Sequence, residues 1–319
     1  MRPLSHFIAR SEFETDVLTG LTKHPQKELY SKYFYDDLGT ALFEAITLLP
    51  EYGLTRADMR LLREHSGELP ERVGELSMIA ELGSGSGEKA REVLPAFLKK
   101  HRFTYAPIDV SAAALRRCER DLEHLHHLRT IPIRTSYIEG LAAASKLRSP
   151  GTRMLVLFLG SSIGNFEPDF ADQFLNDVRK NLYSGDAFLL SADLVKPIGQ
   201  MLPAYDDALG LTAAFNLNLL ARINRELKGT FVLKNFKHEA RYDENEQRIE
   251  MHLRAAVDHT VSVNQSDISF RKDETIWTES SYKFRPEQIR ELSARAKFQC
   301  EAQWIDAEWP FVQSLLRAV

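Results

Sequence analysis

Apolar runs alternate with helix-forming stretches along residues 56–196. The runs have the length of buried strands, and they lead to Gly83, Asp109, Gly160 and Asp193. Helices are predicted at Arg56–His65, from Glu88, from Ala112 and at Asp169–Leu182, with a short strand at Thr130–Arg134. This alternation predicts an α/β fold, with a parallel sheet covered by helices on both faces. Such sheets bind ligands beyond the carboxyl ends of their strands.

Two segments break the alternation. Residues 1–55 contain the aromatic cluster YSKYFYDDLGTALFEAITLLPEYGLTR, and residues 197–282 hold a long helix followed by strand-like segments. We expect these two segments to form a second lobe together. Residues 283–319 have the pattern helix, strand, turn and strand, and are predicted to return to the parallel sheet as an antiparallel edge.

The turn after the first buried strand, ELGSGSGEK, is rich in glycine. Gly83, Gly85 and Gly87 allow the backbone to turn sharply and to approach a ligand closely. Glu88 stands where the dinucleotide fingerprint G-x-G-x-x-G has its third glycine, so a nicotinamide dinucleotide is the weaker candidate. S-adenosylmethionine is favoured, because the glycines leave room for its amino acid and ribose, and Glu81 can interact with its polar or cationic groups.

A second candidate cofactor residue follows the next buried strand, RFTYAPIDV. This strand ends in Asp109, whose carboxylate can accept hydrogen bonds from two ribose hydroxyls. Ser111 is a candidate N-cap for the helix that comes next. The alternative is purely structural, with the glycine turn as a connector and Asp109 as a solvated acid.

Composition limits the classes of partner. The chain has 319 residues, of which 44% are hydrophobic and 27% are charged, and its net charge is −4. No basic excess exists to attract a phosphate backbone, so we expect no nucleic-acid partner. A small-molecule substrate and a monomer are also expected. No apolar run reaches membrane-spanning length and the first residues lack a secretory signal, which predicts a cytoplasmic protein. Cys118 and Cys300 have no metal-ligand spacing, so no metal is expected and neither cysteine receives a role.

Several separated stretches resemble one enzyme family over nearly the whole chain. They are YFYDDLGTALFEAITLLPEYGLTR, ELGSGSGEK, LGSSIGNFEP, ADLVKP, AYDDALGLTAAFNLNLLARINREL, RIEMHLRA and WTESSYKF. GSSIGNFEP and AYDD with AFN are the most specific, because a generic nucleotide-binding fold does not require them. On these motifs the chain resembles the histidine-specific Nα-methyltransferases of the ergothioneine pathway.

The resemblance implies a reaction and an architecture. Members of that family use S-adenosylmethionine to trimethylate the α-amino group of L-histidine, which gives hercynine and S-adenosylhomocysteine. The implied cofactor domain is a Rossmann-like class I methyltransferase sheet over residues 56–196 and 283–319. The implied substrate-binding domain comprises residues 1–55 and 197–282.

The family pattern also implies substrate-binding residues. It places the substrate carboxylate against Asn165 and Tyr205, whose amide N–H and phenol O–H can both donate to a carboxylate. It places the imidazole against Glu279 and Ser281, which share one side if their segment is a strand. Met251 is implied as a wall of this pocket, although a position in the core is the plain alternative.

Aromatic residues are implied around the reaction centre, because aromatic faces stabilise sulfonium and ammonium cations. They are Tyr35, Phe43, Tyr52 and Phe215. Phe215 is expected on one helix face with Tyr205 and Thr212. The catalytic set is Tyr35, Asn165 and Tyr205. Water and the Tyr35 hydroxyl are the two candidates for the base that deprotonates the amine.

The cofactor residues implied are Gly83, Gly85, Lys89, Asp109 and Gly160, with Ser136 and Tyr137 near the adenine. The last two are a departure, because the family has an aspartate followed by phenylalanine where this chain has RTSYIEGL. A serine hydroxyl or a backbone carbonyl would have to replace that carboxylate.

Three other interpretations stay open. A methyltransferase-like protein that binds the cofactor without catalysis is disfavoured by the intact polar set of Asn165, Tyr205, Glu279 and Ser281. Another amino acid, such as tryptophan or a histidine analogue, is a possible substrate, because a carboxylate clamp is generic. An NAD-linked oxidoreductase is third.

Overall fold

The structure is a computed structural model, and it describes residues 11–100 and 102–319. These residues form two compact units. The smaller unit comprises the described residues through Tyr52 together with Pro197–Ser281. The larger unit comprises Gly53–Lys196 and Tyr282–Val319.

The secondary structure of the described residues is as follows. The α-helices are α1 (Glu12–Leu21), α2 (Asp37–Thr47), α3 (Gly53–His65), α4 (Leu69–Val73), α5 (Ala90–Leu98), α6 (Ala112–Leu122), α7 (Tyr137–Leu147), α8 (Pro168–Lys180), α9 (Ile198–Met201), α10 (Leu211–Leu227) and α11 (Pro286–Arg295). The strands are β1 (Lys27–Glu28), β2 (Leu76–Leu82), β3 (Thr104–Asp109), β4 (Arg129–Thr130), β5 (Ile133–Arg134), β6 (Arg153–Phe158), β7 (Ala187–Asp193), β8 (Phe236–Asp243), β9 (Arg248–Ala255), β10 (His259–Val263), β11 (Ser266–Phe270), β12 (Thr275–Tyr282), β13 (Phe298–Ile305) and β14 (Phe311–Ala318). Short 3₁₀ helices lie at Ser31–Tyr33, Ser162–Asn165, Leu202–Ala204 and Leu233–Asn235.

The larger unit is built on one sheet with strand order β13-β14-β7-β6-β2-β3-β4, in which β5 also pairs with β3. The pairs from β7 through β4 and β5 are parallel, and β14 is antiparallel to both β7 and β13. The predicted α/β fold is confirmed, as is the antiparallel edge formed by the C-terminal segment.

Helices cover both faces of this sheet. Successive side chains of a strand point to opposite faces, so each strand contributes to a core on either side. In β2, Met78 and Ala80 pack into a core shared with α7, α8 and α11. Ile79 points to the other face, into a core shared with α3, α4, α5 and α6. Strands buried on both sides have continuous apolar sequences, which is why the runs were recognisable.

Two local predictions differ from the structure. The short strand at Thr130–Arg134 is divided into β4 and β5, with Pro132 between them, whose ring nitrogen has no N–H to donate to a neighbouring strand. Helix α7 was not predicted. Its sequence, YIEGLAAASKL, buries only Gly140, Leu141 and Ala144, so its apolar face is narrow.

The smaller unit has a sheet of order β1-β12-β9-β8 and a separate hairpin, β10–β11. The long helix α10 buries Phe215, Leu219 and Ile223. The start of α10 is fixed by Asp207, whose carboxylate accepts from the Leu211 and Thr212 N–H groups at 3.0 and 2.7 Å. Such a carboxylate satisfies two of the N–H groups that every helix leaves unpaired at its start.

The chain leaves the larger unit after Lys196 and returns at Tyr282, at two adjacent places on that unit. Leu194 and Phe284 form a parallel bridge. The Phe284 N–H donates to the Asp193 carbonyl at 3.0 Å, and the Val195 N–H donates to the Phe284 carbonyl at 2.9 Å. The inserted segment 197–281 therefore starts and ends beside the same strand end.

Candidate active site

The glycine turn of the larger unit has the backbone conformation that its sequence predicts. Gly83, Gly85 and Gly87 have φ values of 69°, 53° and 74°, in the region that residues with a Cβ rarely adopt. A Cβ on Gly83 would lie 3.2 Å from the Tyr137 ring, and one on Gly87 would lie 2.5 Å from Cys118 Sγ. At Gly85 nothing lies within 4 Å, so the turn is open there.

Asp109 lies at the end of β3 and fixes this turn. Its Oδ2 accepts from the Gly85 N–H at 3.0 Å, and its Oδ1 accepts from the Ser111 N–H at 2.8 Å. Each carboxylate oxygen has two lone pairs, so acceptor capacity remains for hydroxyl donors. The predicted N-cap is confirmed, because Ser111 Oγ accepts from the Ala114 N–H at 3.2 Å.

Glu81 is buried at the end of β2, next to the glycine turn. Its carboxylate is hydrogen-bonded by the Tyr105 hydroxyl. Burial raises the pKa of Glu81 to about 7, against the opposing effects of the Tyr105 hydrogen bond and of the Lys89 charge. This carboxyl group therefore takes up a proton near neutral pH.

Asp58, on α3, is a buried acid that the sequence did not single out. Its carboxylate accepts from the Gly160 N–H at 2.8 Å and from Gln313 Nε2 at 2.6 Å. Lys89 Nζ lies 3.2 Å from the same carboxylate. Gly160 has a φ of 81°, and a Cβ on it would lie 2.5 Å from Lys89 Nζ. The structure thus joins the predicted residues Lys89 and Gly160 through Asp58.

The two residues expected near the adenine lie at the start of α7. Tyr137 is packed against Phe158 and Phe174, with ring centroids 5.5 and 6.2 Å apart. Burial and the nearby Asp109 raise the pKa of Tyr137 to about 12, so it is a neutral phenol. The Ser136 hydroxyl donates to Glu139 Oε2 at 3.0 Å.

Asn165 ends the 3₁₀ turn that follows β6. This turn begins after Ser161, which has a left-handed φ of 62° and accepts from the Asp193 N–H at 2.8 Å. A Cβ on Gly164 would lie 2.8 Å from the Tyr282 carbonyl, so only glycine fits there. Asn165 is therefore held on a tightly packed turn at the carboxyl end of the sheet.

In the smaller unit, the structure brings the predicted aromatic residues into one cluster. The Tyr35 ring lies 5.7 Å from Phe43 and 5.8 Å from Phe215. Phe43 lies 6.1 Å from Tyr52, which in turn lies 6.3 Å from Tyr205. All four of these contacts are edge-to-face, a favoured geometry for aromatic pairs.

Tyr205 is not on the helix that carries Phe215 and Thr212, so that expectation was wrong. Helix α10 begins at Leu211, and Tyr205 follows the 3₁₀ turn Leu202–Ala204. The Asp207 carboxylate accepts from the first N–H groups of α10, so the helix begins after Asp207 and is separate from the 3₁₀ turn before Tyr205. Tyr205 nevertheless joins the aromatic cluster through Tyr52.

The predicted imidazole-binding residues lie on β12. Glu279 and Ser281 are two positions apart on this strand and therefore share a face. The hydroxyls of Ser281 and Tyr205 are 2.8 Å apart and hydrogen-bonded. Met251 is buried on β9 together with Ile249 and Leu253, and its carbonyl accepts from the Thr278 hydroxyl at 2.9 Å.

Comparison with known proteins decides the family. The model of a family described as histidine-specific, S-adenosylmethionine-dependent methyltransferases matches residues 13–318. The chain belongs to this family. The histidine N-alpha-methyltransferase of Mycolicibacterium smegmatis is 40% identical over 311 residues, covering 96% of this chain and 95% of that protein. The histidine N-alpha-methyltransferase of Mycobacterium tuberculosis is 39% identical over 306 residues, covering 94% and 93%.

A fungal relative is longer. Ergothioneine biosynthesis protein 1 of Schizosaccharomyces pombe is 27% identical over 286 residues, covering 87% of this chain and 37% of that protein. The match therefore corresponds to one part of the fungal protein.

The larger unit fits the cofactor that this methyltransferase family uses. The Ser84 hydroxyl in the glycine turn is buried and has no hydrogen-bond partner among the described residues. Gly85, next to it, faces open space, and Asp109 offers acceptors for hydroxyl donors. A ligand with ribose hydroxyls and a polar amino-acid group matches this set of donors and acceptors.

The structure also bears on metal binding and on membrane insertion over residues 11–100 and 102–319. In that range, no group of three or more histidine, cysteine, aspartate or glutamate side chains is arranged to hold a metal ion. No helix there is both long enough and apolar enough to cross a membrane.

Proposed function

We propose that this enzyme transfers three methyl groups from S-adenosylmethionine to the α-amino nitrogen of L-histidine, giving hercynine for ergothioneine biosynthesis. The observation that carries the proposal is the Tyr205–Ser281 hydroxyl pair, at 2.8 Å, on the strand face that also carries Glu279. It joins a residue assigned to the carboxylate with one assigned to the imidazole. The similarity to two mycobacterial histidine N-alpha-methyltransferases supports the same substrate.

Substrate binding is assigned to Asn165, Tyr205, Glu279 and Ser281. Asn165 and Tyr205 donate to the α-carboxylate, which gives short, charge-assisted hydrogen bonds. Glu279 accepts from an imidazole N–H, and the Ser281 hydroxyl contacts the other ring nitrogen. A site built to hydrogen-bond a substrate group strongly rejects analogues that lack it, because its polar atoms would then be unpaired.

The aromatic cluster serves the reacting nitrogen. The amine becomes more substituted with each methylation, and the final product is a quaternary ammonium that cannot donate a hydrogen bond. The rings of Tyr35, Phe43, Tyr52 and Phe215 stabilise that charge without fixing the orientation of the amine. The ammonium form of the substrate loses its proton to water, either directly or through the Tyr35 hydroxyl, which accepts a hydrogen bond from the ammonium and passes its own proton on to water.

The cofactor-binding residues are those of the glycine turn and its neighbours. Asp109 would hold the ribose hydroxyls, the Gly83–Gly85 backbone and Lys89 would hold the amino-acid part, and Ser136 and Tyr137 at the start of α7 would contact the adenine. When bound, the cofactor supplies a methyl group on a positively charged sulfonium. The protein contributes chiefly alignment, which is worth up to about 7–11 kcal/mol in well-oriented reactions.

A competition experiment tests the proposal. The purified protein is incubated with S-adenosylmethionine and an equimolar mixture of the twenty amino acids, and the methylated products are identified by mass spectrometry. We expect trimethylated histidine alone. Methylated tryptophan would overturn the assignment of Glu279 and Ser281 while keeping the carboxylate clamp. Cofactor binding without any methylated product would indicate the non-catalytic alternative.

Expectations about location, oligomeric state and partners complete the proposal. We propose a cytoplasmic, monomeric enzyme that acts on a free small molecule and not on nucleic acid. Light scattering of the purified protein measures the oligomeric state. A mass of twice 36.4 kDa would contradict the monomer.

A further inference from the structure

His238, on β8, joins Tyr205 to helix α10. Its Nε2 lies 2.7 Å from the Tyr205 carbonyl oxygen, and its Nδ1 lies 2.9 Å from Asn216 Nδ2. Both ring nitrogens are therefore engaged. His238 is not adjacent to Tyr205 in sequence, and none of the family motifs found in the sequence includes it.

The two contacts define the proton position on the ring. A carbonyl oxygen only accepts, so Nε2 must carry the hydrogen that reaches Tyr205. Asn216 Nδ2 also donates to the His252 carbonyl at 3.2 Å, and this second carbonyl fixes the orientation of the amide. Nδ1 of His238 must therefore accept from Asn216, which requires the neutral imidazole with its proton on Nε2.

The Tyr205 backbone is held on both sides by this arrangement. Its N–H donates to the Leu202 carbonyl at 2.9 Å, within the 3₁₀ turn, and its carbonyl accepts from His238. The Tyr205 side chain is buried, and its hydroxyl bonds Ser281. The hydrogen bonds thus run from α10 through β8 to Tyr205 and on to β12.

We propose that His238 is a positioning residue for the amino-acid substrate: it holds the Tyr205 backbone so that the Tyr205 hydroxyl is directed at the substrate carboxylate. This inference rests on the proposed role of Tyr205 in the proposed function. It predicts that the bond from Nε2 matters for substrate affinity, and that the bond to Asn216 matters by keeping Nε2 protonated.

Two substitutions test the hydrogen bonds of the two ring nitrogens separately. His238→Gln places an amide nitrogen near the Nε2 position and keeps a donor for the Tyr205 carbonyl. His238→Asn reaches only the Nδ1 position, so it keeps a partner for Asn216 and leaves the Tyr205 carbonyl without its donor. We expect His238→Asn to raise the KM for histidine about five- to tenfold with kcat within about twofold, whereas His238→Gln stays near the wild-type KM.

The matched control is His259→Gln. This histidine is in the same unit, and its Nδ1 also lies 2.8 Å from a backbone carbonyl, that of Val257. An amide near the Nε2 position leaves that carbonyl without its donor, and because Val257 has no proposed role in the site, both KM and kcat should stay unchanged. Thermal unfolding of all three variants shows which of them are fully folded.

A pH profile gives a second readout. Protonation of Nδ1 would direct an N–H at the amide NH₂ of Asn216 and break their bond. Burial lowers the pKa of His238, opposed by its bond to Tyr205 and by the charges of Asp206, Asp207 and Glu239. Nε2 keeps its hydrogen in the imidazolium, so the bond to Tyr205 survives protonation and the ratio of the wild-type KM to that of His238→Gln should stay constant as the pH falls below this pKa. A rise in that ratio would show that the Asn216 bond, and not the bond to Tyr205, sets substrate affinity.

Failure of the role proposed for His238 can be distinguished from failure of the proposed function. If the wild type methylates an amino acid other than histidine, KM is measured for that amino acid, because all of them carry the carboxylate. Equal KM values for His238→Asn and the wild type would overturn the inference. So would an equal loss of histidine and S-adenosylmethionine affinity in His238→Asn, measured by calorimetry, because that result indicates a general structural role.

Discussion

At the scale of single residues, Glu279 is the side chain on which substrate choice is proposed to depend. Glu279→Ala should raise the KM for histidine about ten- to a hundredfold, because a hydrogen bond to a charged group contributes about 1.5–3 kcal/mol. Binding of S-adenosylmethionine should change little. Steady-state kinetics and calorimetry measure the two effects. Glu244→Ala, in the exposed turn after β8, is the control, and equal loss of both ligands in Glu279→Ala would contradict the assignment.

Glu81 gives a prediction about stability and pH. Its folded pKa of about 7 lies above the ordinary value of 4.5, so the folded protein keeps a proton that the unfolded chain releases between these values. The stabilisation is present below pH 4.5 and is lost as the pH rises through 7. Relative to Glu81→Gln, the wild type should therefore lose up to about 3 kcal/mol of unfolding free energy between pH 5 and pH 8.

Urea unfolding at the two pH values measures this difference. Glu88→Gln, at an exposed position in the same turn, is the control and should follow the wild type. A constant difference between Glu81→Gln and the wild type from pH 5 to pH 8 would show that Glu81 does not titrate in this range.

Gly83 offers a test of backbone conformation. Gly83→Ala adds a Cβ at a φ of 69° and 3.2 Å from the Tyr137 hydroxyl. We expect a loss of about 1–2 kcal/mol in unfolding free energy, together with weaker S-adenosylmethionine binding. Gly67→Ala is the matched control, since nothing lies within 4 Å of the new Cβ there. Wild-type cofactor affinity in Gly83→Ala would remove the turn from the proposed site.

At the scale of elements, Asp36 connects two helices of the smaller unit. It caps α2 by accepting from the Gly39 N–H at 2.7 Å, and it also accepts from Asn218 and Arg225 of α10 at 2.8 and 2.5 Å. Although burial opposes its charge, the hydrogen bonds from Gly39, Arg225 and Asn218 keep the pKa of Asp36 below its usual value. One carboxylate therefore fixes both the start of α2 and its packing on α10.

Asp36→Ala should lower the unfolding free energy by about 2–3 kcal/mol. About 1 kcal/mol comes from the lost cap, and the rest comes from leaving the amide of the buried Asn218 without this acceptor. Ser11→Ala removes the exposed cap of α1, where the Glu14 N–H donates at 3.1 Å, and should cost no more than about 1 kcal/mol. Similar losses in the two variants, measured by denaturant unfolding, would show that Asp36 acts as a cap alone.

At the scale of the whole molecule, the elements that sequence predicts well are those whose burial is uniform. Strand β6 is buried at every position after Arg153, so its apolar run could be recognised without knowledge of its neighbours. The glycine turn was equally clear, because Gly83, Gly85 and Gly87 all require a positive φ. In these elements the structure follows from the residue type alone: apolar side chains make a buried strand, and glycines, which lack a side chain, allow the turn.

The residues that sequence did not reveal depend on partners far along the chain. Asp58 lies in GLTRADMRLL as an ordinary polar position, and its burial follows from Gly160 and Gln313. Tyr205 was expected on the helix of Phe215 because the two residues have helical spacing. Spacing alone does not show that the Asp207 carboxylate accepts from the first N–H groups of α10, so that the helix starts only at Leu211. The assignment of the smaller unit to the substrate and of the larger unit to the cofactor stays a prediction.

The bridge between Leu194 and Phe284 has a consequence for how such enzymes diversify. The segment 197–281 leaves and rejoins the sheet beside one strand end, so its length and sequence can change without altering the register of the strands. On the predicted assignment of the smaller unit to the substrate, selection for a new amino-acid substrate can act on this continuous stretch of the gene and on the segment before Gly53, and leave the predicted cofactor residues unchanged.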